Sequence, residues 1–300
     1  MPVFRPRIIT GDVLKTLNKQ PLEIKFDVVI ADPPYNIGKD FGNNRDDMPI
    51  GEYVKWCRQW LAQCFRLLAP NGLVYLYGFP EMLARIAVEY PLDEQRWLVW
   101  HYTNKAVPSS KFWQRAHESI LCLWQPGARR PALEIEQIRE PYTEHYRKCT
   151  GKKRNGTNGR YSRGGQQTVF NDNGGALPRD VLDIPALAGG AGRAERWFVC
   201  RDCGGEVRPP SELSAHDGHD ILKHPTQKPM ALTTRLLQSR IRGSRGRVLI
   251  PFAGSGSECV VAQRLGVPYL GIEINPEYAG FARSWLTGDL RCSQWVVGSG

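Results

Sequence analysis

Long hydrophobic runs are missing from this chain. Its most apolar stretches, such as Phe26 to Ala31 and Gly72 to Tyr77, are six residues each, far short of the roughly 20 that cross a bilayer as a helix. No membrane partner is expected. The first residues, MPVFRPRIIT, carry no extended apolar core of a secretory signal, so a cytoplasmic location is expected. The 8 cysteines among 300 residues show no disulfide framework, which such a location would disfavour in any case. No internal repeat is evident. Acidic residues are also in deficit, 30 against 40 Lys and Arg, for a net charge of +10. They are absent altogether from His145 to Gly165, where Arg147, Lys148, Lys152, Lys153, Arg154, Arg160 and Arg163 gather. Such a run is either a solvated basic loop or a surface for a polyanion, because phosphates bound by Lys and Arg release counterions.

What is present alternates short apolar runs with amphipathic stretches, the pattern of a parallel sheet covered by helices. Phe26–Ala31 reads as a strand buried on both faces. Tyr53, Trp56, Cys57, Trp60, Leu61, Cys64, Phe65 and Leu68 recur at helical spacing, with Pro70-Asn71-Gly72 as the stop. Strands are predicted at 73–77, 97–101 and 119–125, with a helix around 81–89. From 126 to 222 glycine, asparagine and arginine interrupt both periods, which predicts an inserted recognition lobe. The alternation then resumes: a helix over 230–241, a strand over 248–250, a helix over 257–265, a strand over 269–272 and a helix after Pro276. The predicted fold is a doubly wound, mostly parallel α/β sheet in three stretches, 1–125, 126–222 and 223–300.

Two constellations carry chemistry. In the first, the strand Val248-Leu249-Ile250 runs through Phe252-Ala253-Gly254-Ser255-Gly256 into a helix, and Glu273 follows Gly254 by 19 residues at the next strand's tip. Glycines let a backbone approach a ligand, and an acid placed there accepts hydrogen bonds from ribose hydroxyls. A nucleoside cofactor is expected. Only Gly254 and Gly256 of the dinucleotide fingerprint are present, which disfavours NAD. In the second, Asp32-Pro33-Pro34-Tyr35 ends the strand 26–31. An exocyclic amine on a base ring is a poor nucleophile because its lone pair is delocalised. The motif reads either as a proline-rich turn that caps the strand or as a site in which the Asp32 carboxylate and the Pro33 carbonyl would hold the two hydrogens, the prolines would fix that carbonyl's direction, and Tyr35 would offer a face for a base turned out of the helix.

These motifs, with His224-Pro225-Thr226-Gln227-Lys228-Pro229 between them in chain order, resemble those of the DNA amino-methyltransferases, in the permuted group where DPPY precedes the cofactor loop. The likeness covers most of 8–125 and 222–286. It implies S-adenosylmethionine as methyl donor and double-stranded DNA as substrate. It assigns Phe252 to Gly256 to the methionine and ribose, Glu273 to the ribose hydroxyls, Asp12 to the adenine, and Thr226, Gln227, Lys228 and Pro229 to the methionine carboxylate. Other readings stay open: Asp12 as a helix cap, Lys228 as a surface charge, His224 as a satisfied polar residue. Asp at position 32 favours adenine N6 over cytosine N4 in such enzymes. The basic insert favours nucleic acid, RNA included, over a protein substrate. A cognate restriction endonuclease and a homodimer are partners the resemblance allows.

Independently of that likeness, Cys200 and Cys203, two residues apart, precede His216 and His219 by twelve residues. This is close to the spacing of small zinc modules, except that only two residues separate the histidines where three to five are usual. The set is either a structural zinc site, with His224 as an alternative fourth ligand, or reduced cysteines in a turn beside surface histidines.

Overall fold

A computed structural model describes residues 4–39, 46–104, 110–149, 151–155, 167–169, 171–187, 195–196, 198–203, 206–207 and 212–288. Its centre is an eight-stranded sheet in the order β1-β13-β12-β2-β3-β5-β4-β8. These strands are β1 (Arg7–Thr10), β2 (Phe26–Ala31), β3 (Leu68–Gly78), β4 (Gln95–His101), β5 (His117–Leu123), β8 (Val181–Asp183), β12 (Val248–Ile250) and β13 (Tyr269–Glu273). The first five strands of that order pair in parallel. On the far side β5 runs antiparallel to both β3 and β4. Strands β2 and β12 are more than two hundred residues apart in the chain yet adjacent in the sheet, Val28 opposite Val248.

Alternation along β2 puts Val28 and Ile30 into one buried cluster and Val29 and Ala31 into another. The sheet is therefore covered on both faces, and a run of uninterrupted apolar residues is what such a strand requires. One face is covered by α2 (Ile50–Leu67), which buries Tyr53, Cys57, Trp60, Leu61, Cys64 and Leu67 at helical spacing. The same face holds Val13 and Leu17 of α1 (Val13–Asn18) and Leu83 and Ile86 of α3 (Pro80–Ala87). On the other lie Leu232, Leu236 and Leu237 of α5 (Met230–Gln238), Cys259 and Val261 of α6 (Ser257–Arg264), and Ala279 and Ala282 of α7 (Pro276–Gly288).

Two boundaries differ from expectation. Pro70-Asn71-Gly72 does not close α2: Leu68 is already extended at φ −73°, ψ 138° and pairs with Phe26 across a register shift, so β3 begins there and runs through the prolyl segment. The stretch 126–222, expected as an inserted lobe, is tied to the sheet. Its β8 joins the central sheet parallel to β4, and Gln137 donates to the carbonyls of Gln238 and Ile241 behind α5. The rest of the stretch includes α4 (Glu144–Cys149), a ribbon of β6 (Lys153–Asn155) and β7 (Gln167–Val169), and a small sheet of β10 (Glu206–Val207), β9 (Phe198–Cys200) and β11 (Ile221–Lys223). No helix among the described residues is long and apolar enough to cross a membrane.

Candidate active site

Parallel pairing of β1, β13, β12 and β2 brings four chain segments to one edge of the sheet, the carboxyl-terminal edge where open α/β sheets bind ligands. Asp12 follows β1, Glu273 ends β13, Phe252 follows β12 and Asp32 follows β2. Between them lies a cleft. Asp12, Pro34, Phe252, Gly254 and Glu273 line it, joined by Trp56, His224, Ile274 and Tyr278. Five residues read from the sequence, distant in the chain, therefore share one cavity.

Asp12 is a helix cap at the cleft wall. Its carboxylate caps α1 by accepting from the Lys15 amide at 3.0 Å, and the residue lines the cleft. Glu273, 8% exposed, accepts from the Gly254 amide at 2.7 Å and from the Asn275 amide at 2.9 Å. Burial raises its carboxyl above the usual range, although those amides oppose the shift. The glycine loop divides its work. Gly254, at φ 50°, faces His224, whose Nε2 would lie 2.7 Å from an added Cβ. Gly256, at φ 84°, caps α6, and a Cβ there would meet the Ala282 Cβ at 2.6 Å. Only Gly254 is bare for the cleft's sake; Gly256 serves helix packing. Ala253 and Ser255 are buried behind the loop, and Phe252 packs edge-on against Trp60 and Trp56.

The 224–229 segment departs from its expected place. Lys228, 3% exposed, is no surface charge and does not line the cleft. Its Nζ lies 2.9 Å from Asp32 Oδ1 and 3.5 Å from Glu118 Oε2. Gln227 donates to the Glu195 carbonyl, the Thr226 amide faces His224 Nδ1 and Pro229 caps α5. It is His224 that reaches the cleft, its ring edge-on to Tyr278. Burial first, then the charges of Lys228, Lys39 and Arg196, bring its pKa down to about 3, so the imidazole is neutral.

Around Asp32 the chain builds a buried charge cluster. The Tyr35 hydroxyl sits 2.9 Å from Asp32 Oδ1 and 2.8 Å from Glu118 Oε2 and donates its one proton between them. The Tyr102 hydroxyl donates to Glu118 Oε1. Burial holds Asp32 above the ordinary carboxylate range despite Lys228. Burial would lift Glu118 too, but Lys228 and the two tyrosine hydroxyls hold it below. Two neighbouring carboxylates keep Lys228 firmly protonated. Tyr35 is 9% exposed, edge-on to Phe79, with Lys228 Nζ 5.2 Å from its ring centroid. In this conformation it orders carboxylates and presents no open face for a base. Pro34 is fixed by the Tyr53 hydroxyl, which donates to its carbonyl at 2.7 Å. Asn36, at φ 58°, turns the chain after the motif, and Asp46 gathers the amides of Asn36, Ile37 and Lys39.

Glu118, Tyr102, Glu258 and Asp46 were not singled out in the sequence. Glu118 offered one signal, an acid at the head of the apolar run 119–123, but only antiparallel pairing of β5 carries it to the same edge as Asp32. Of the basic run, Arg147 and Lys148 lie on exposed α4, where Lys148 pairs with Glu144. Lys152 and Lys153 are exposed, and Lys153 and Arg154 belong to β6. Arg160 and Arg163 lie outside the described residues. The ligand atoms of Cys200, Cys203, His216 and His219 lie within 4.8 Å of one another. His224 is not among them.

A sheet-edge cleft suited to a nucleoside, beside a buried carboxylate on a DPPY loop, defines the class as an α/β methyltransferase. The pattern of the DNA methylase family matches residues 26–283, and the chain belongs to that family of amino-methyltransferases, enzymes that methylate DNA. It is 26% identical over 291 residues to the type II methyltransferase M.HpaI of Haemophilus parainfluenzae, covering 94% of this chain and 74% of that protein. It is 27% identical over 275 residues to the DNA adenine methyltransferase YhdJ of Escherichia coli (strain K12), covering 90% and 79%. Among solved structures, the cytosine-N4-specific PvuII DNA methyltransferase superposes with a TM-score of 0.61 at 16% identity, covering 94% of this chain and 89% of that one. The M1.HpyAVI–SAM complex does so at 0.52 and 18%, covering 93% and 98%.

Proposed function

We propose that the protein transfers a methyl group from S-adenosylmethionine to the exocyclic amino group of a base turned out of double-stranded DNA, with adenine N6 the target. The observation that carries this reading is the position of Asp32, two residues before Pro34 of the cleft wall, on the sheet edge that also holds Asp12, Gly254 and Glu273. A sheet-edge cleft lined by a glycine loop, with a buried acid at a strand tip, suits a nucleoside with an attached amino acid. When bound, the cofactor supplies an electrophilic methyl on a sulfonium. Asp32 accepts one hydrogen of the amine and the Pro33 carbonyl the other, which turns the nitrogen lone pair towards that methyl. Lys228 opposes the burial that raises Asp32, and its raised proton affinity means it does not give up its own proton. Catalysis is then positioning and charge stabilisation.

Asp at position 32 and the likeness to the adenine enzyme YhdJ support adenine; the likeness to the cytosine-N4 enzyme supports the second reading. The insert with its basic run serves as the DNA-recognition lobe, and Cys200, Cys203, His216 and His219 as a structural zinc site. A cognate restriction endonuclease and a homodimer complete the proposal. The test is incubation of purified protein with unmethylated genomic DNA and S-adenosylmethionine, digestion to nucleosides and mass spectrometry. N6-methyladenine is expected. N4-methylcytosine would reverse the base, and neither, with cofactor binding verified, would move the substrate to RNA.

A further inference from the structure

The cysteine–histidine cluster sits at the join between the insert and the cofactor half. Cys200 ends β9 and Cys203 follows in a turn, while His216 ends a 3-10 turn over Leu213–His216. Cys200 Sγ lies 3.4 Å and Cys203 Sγ 3.3 Å from His219 Nδ1. Zinc bonds of about 2.3 Å to sulfur and about 2.0 Å to nitrogen give tetrahedral edges of roughly 3.3 to 3.8 Å, the range of these separations. The Cys203 amide donates to Cys200 Sγ at 3.4 Å, and His216 Nδ1 is buried without a hydrogen-bond partner. The short histidine spacing has a local cause. Three to five intervening residues suit histidines on an α-helix, but here the 3-10 segment ends at His216, and Asp217 (φ −62°, ψ 132°) with Gly218 (φ 79°) makes a type II turn that brings His219 back, its amide donating to the His216 carbonyl at 3.0 Å.

From this knot two ties lead to the cleft. Arg201, between the two cysteines, donates to both carboxylate oxygens of Glu277 on α7 and to Asp220. Leu222 of β11 packs with Val260, Tyr278, Phe281 and Trp285 of α6 and α7. One residue beyond β11 comes His224, which lines the cleft against Gly254 and Tyr278, and four further on comes Lys228 at Asp32. β11 is three residues long and, among the described residues, pairs only with β9, the strand that carries Cys200.

We propose that Cys200, Cys203, His216 and His219 hold a structural zinc ion that fixes β11 against α7 and thereby positions the His224 wall of the cofactor cleft. The coupling to the cleft rests on the cofactor reading above; the metal site does not. Protein purified without added metal is expected to contain one zinc per chain by elemental analysis. After removal by a chelator, titration with Co(II) is expected to give the thiolate charge-transfer and visible bands of a tetrahedral site, and Cys203→Ser to abolish them. Affinity for S-adenosylhomocysteine, read by calorimetry, is expected to weaken about fivefold or more in the stripped protein, a typical coupling between linked sites, and to return with zinc. Arg201→Ala, which leaves all four ligands in place, is expected to keep its zinc and lose part of that affinity. Absence of zinc and of the Co(II) bands overturns the site. Zinc present with affinity unchanged on stripping overturns the coupling. A zinc-loaded protein that fails to bind S-adenosylhomocysteine at all overturns the cofactor reading, with the metal content still deciding the site.

Discussion

At the scale of the residue, the site is governed by how few positive charges serve its buried acids. Among the described residues, Lys228 alone lies within ion-pair distance of both Asp32 and Glu118. Asp32→Ala is expected to abolish methyl transfer while leaving S-adenosylhomocysteine binding within a few-fold, because Asp32 is not among the residues lining the cleft; a rate assay beside calorimetry checks both halves. Near-normal turnover would remove Asp32 from the mechanism. Glu258, 4% exposed on α6, is pushed up to about 7, first by burial and then by the charge of Asp32. A folded-state pKa above the unfolded value of an acid means the folded chain holds a proton that the unfolded chain has released. From about pH 4.5 to about 7, this residue's contribution to stability therefore falls as pH rises. Glu258→Gln is expected to flatten that part of the stability–pH curve and to gain most over the parent near pH 8, as denaturant melts at pH 5 and pH 8 would show. Asp32 and the DPPY loop were legible in the sequence because the chemistry is written in four consecutive residues. Glu118 and Glu258 were not, since an acid among apolar neighbours does not say which buried partner it meets.

At the scale of the element, strand tips and caps decide the geometry. The strand–loop–helix from β12 through Gly254 to α6 was legible residue by residue, but the reason for its second glycine was not. Gly256 combines φ 84° with a neighbour on α7 at 2.6 Å from an added Cβ, and a side chain where φ is positive is disfavoured even without a clash. Gly256→Ala is expected to destabilise the fold by about 1–3 kcal/mol, seen as a lower denaturation midpoint. An unchanged midpoint would show that α7 yields freely. The end of α2 was misplaced by the sequence because a Pro-Asn-Gly triplet is a turn signal in most settings. Here pairing of Leu68 with Phe26 overrides it, since tertiary contacts outweigh local turn preference.

At the scale of the whole molecule, the net charge of +10 and its clustering are what the proposed DNA interface rests on. Lys152 and Lys153 are exposed and carry no acidic neighbour in the sequence run that contains them. If both meet phosphates, Lys152→Ala with Lys153→Ala is expected to flatten the dependence of log affinity on log salt by about 1.8, at roughly 0.9 per phosphate contact, with cofactor binding unchanged. A slope equal to the parent's would take the pair out of the DNA interface. The sequence by itself determined the alternating α/β pattern, the glycine loop between β12 and α6, and the loop that ends β2 at Asp32, because backbone conformation and local chemistry are set by neighbours in the chain. Only the tertiary structure decided that Lys228 answers Asp32, that Glu118 joins them and that β8 sews the insert to the sheet. Those pairings arise where parallel and antiparallel strands end at a common edge, and no local pattern records which strand will lie beside which.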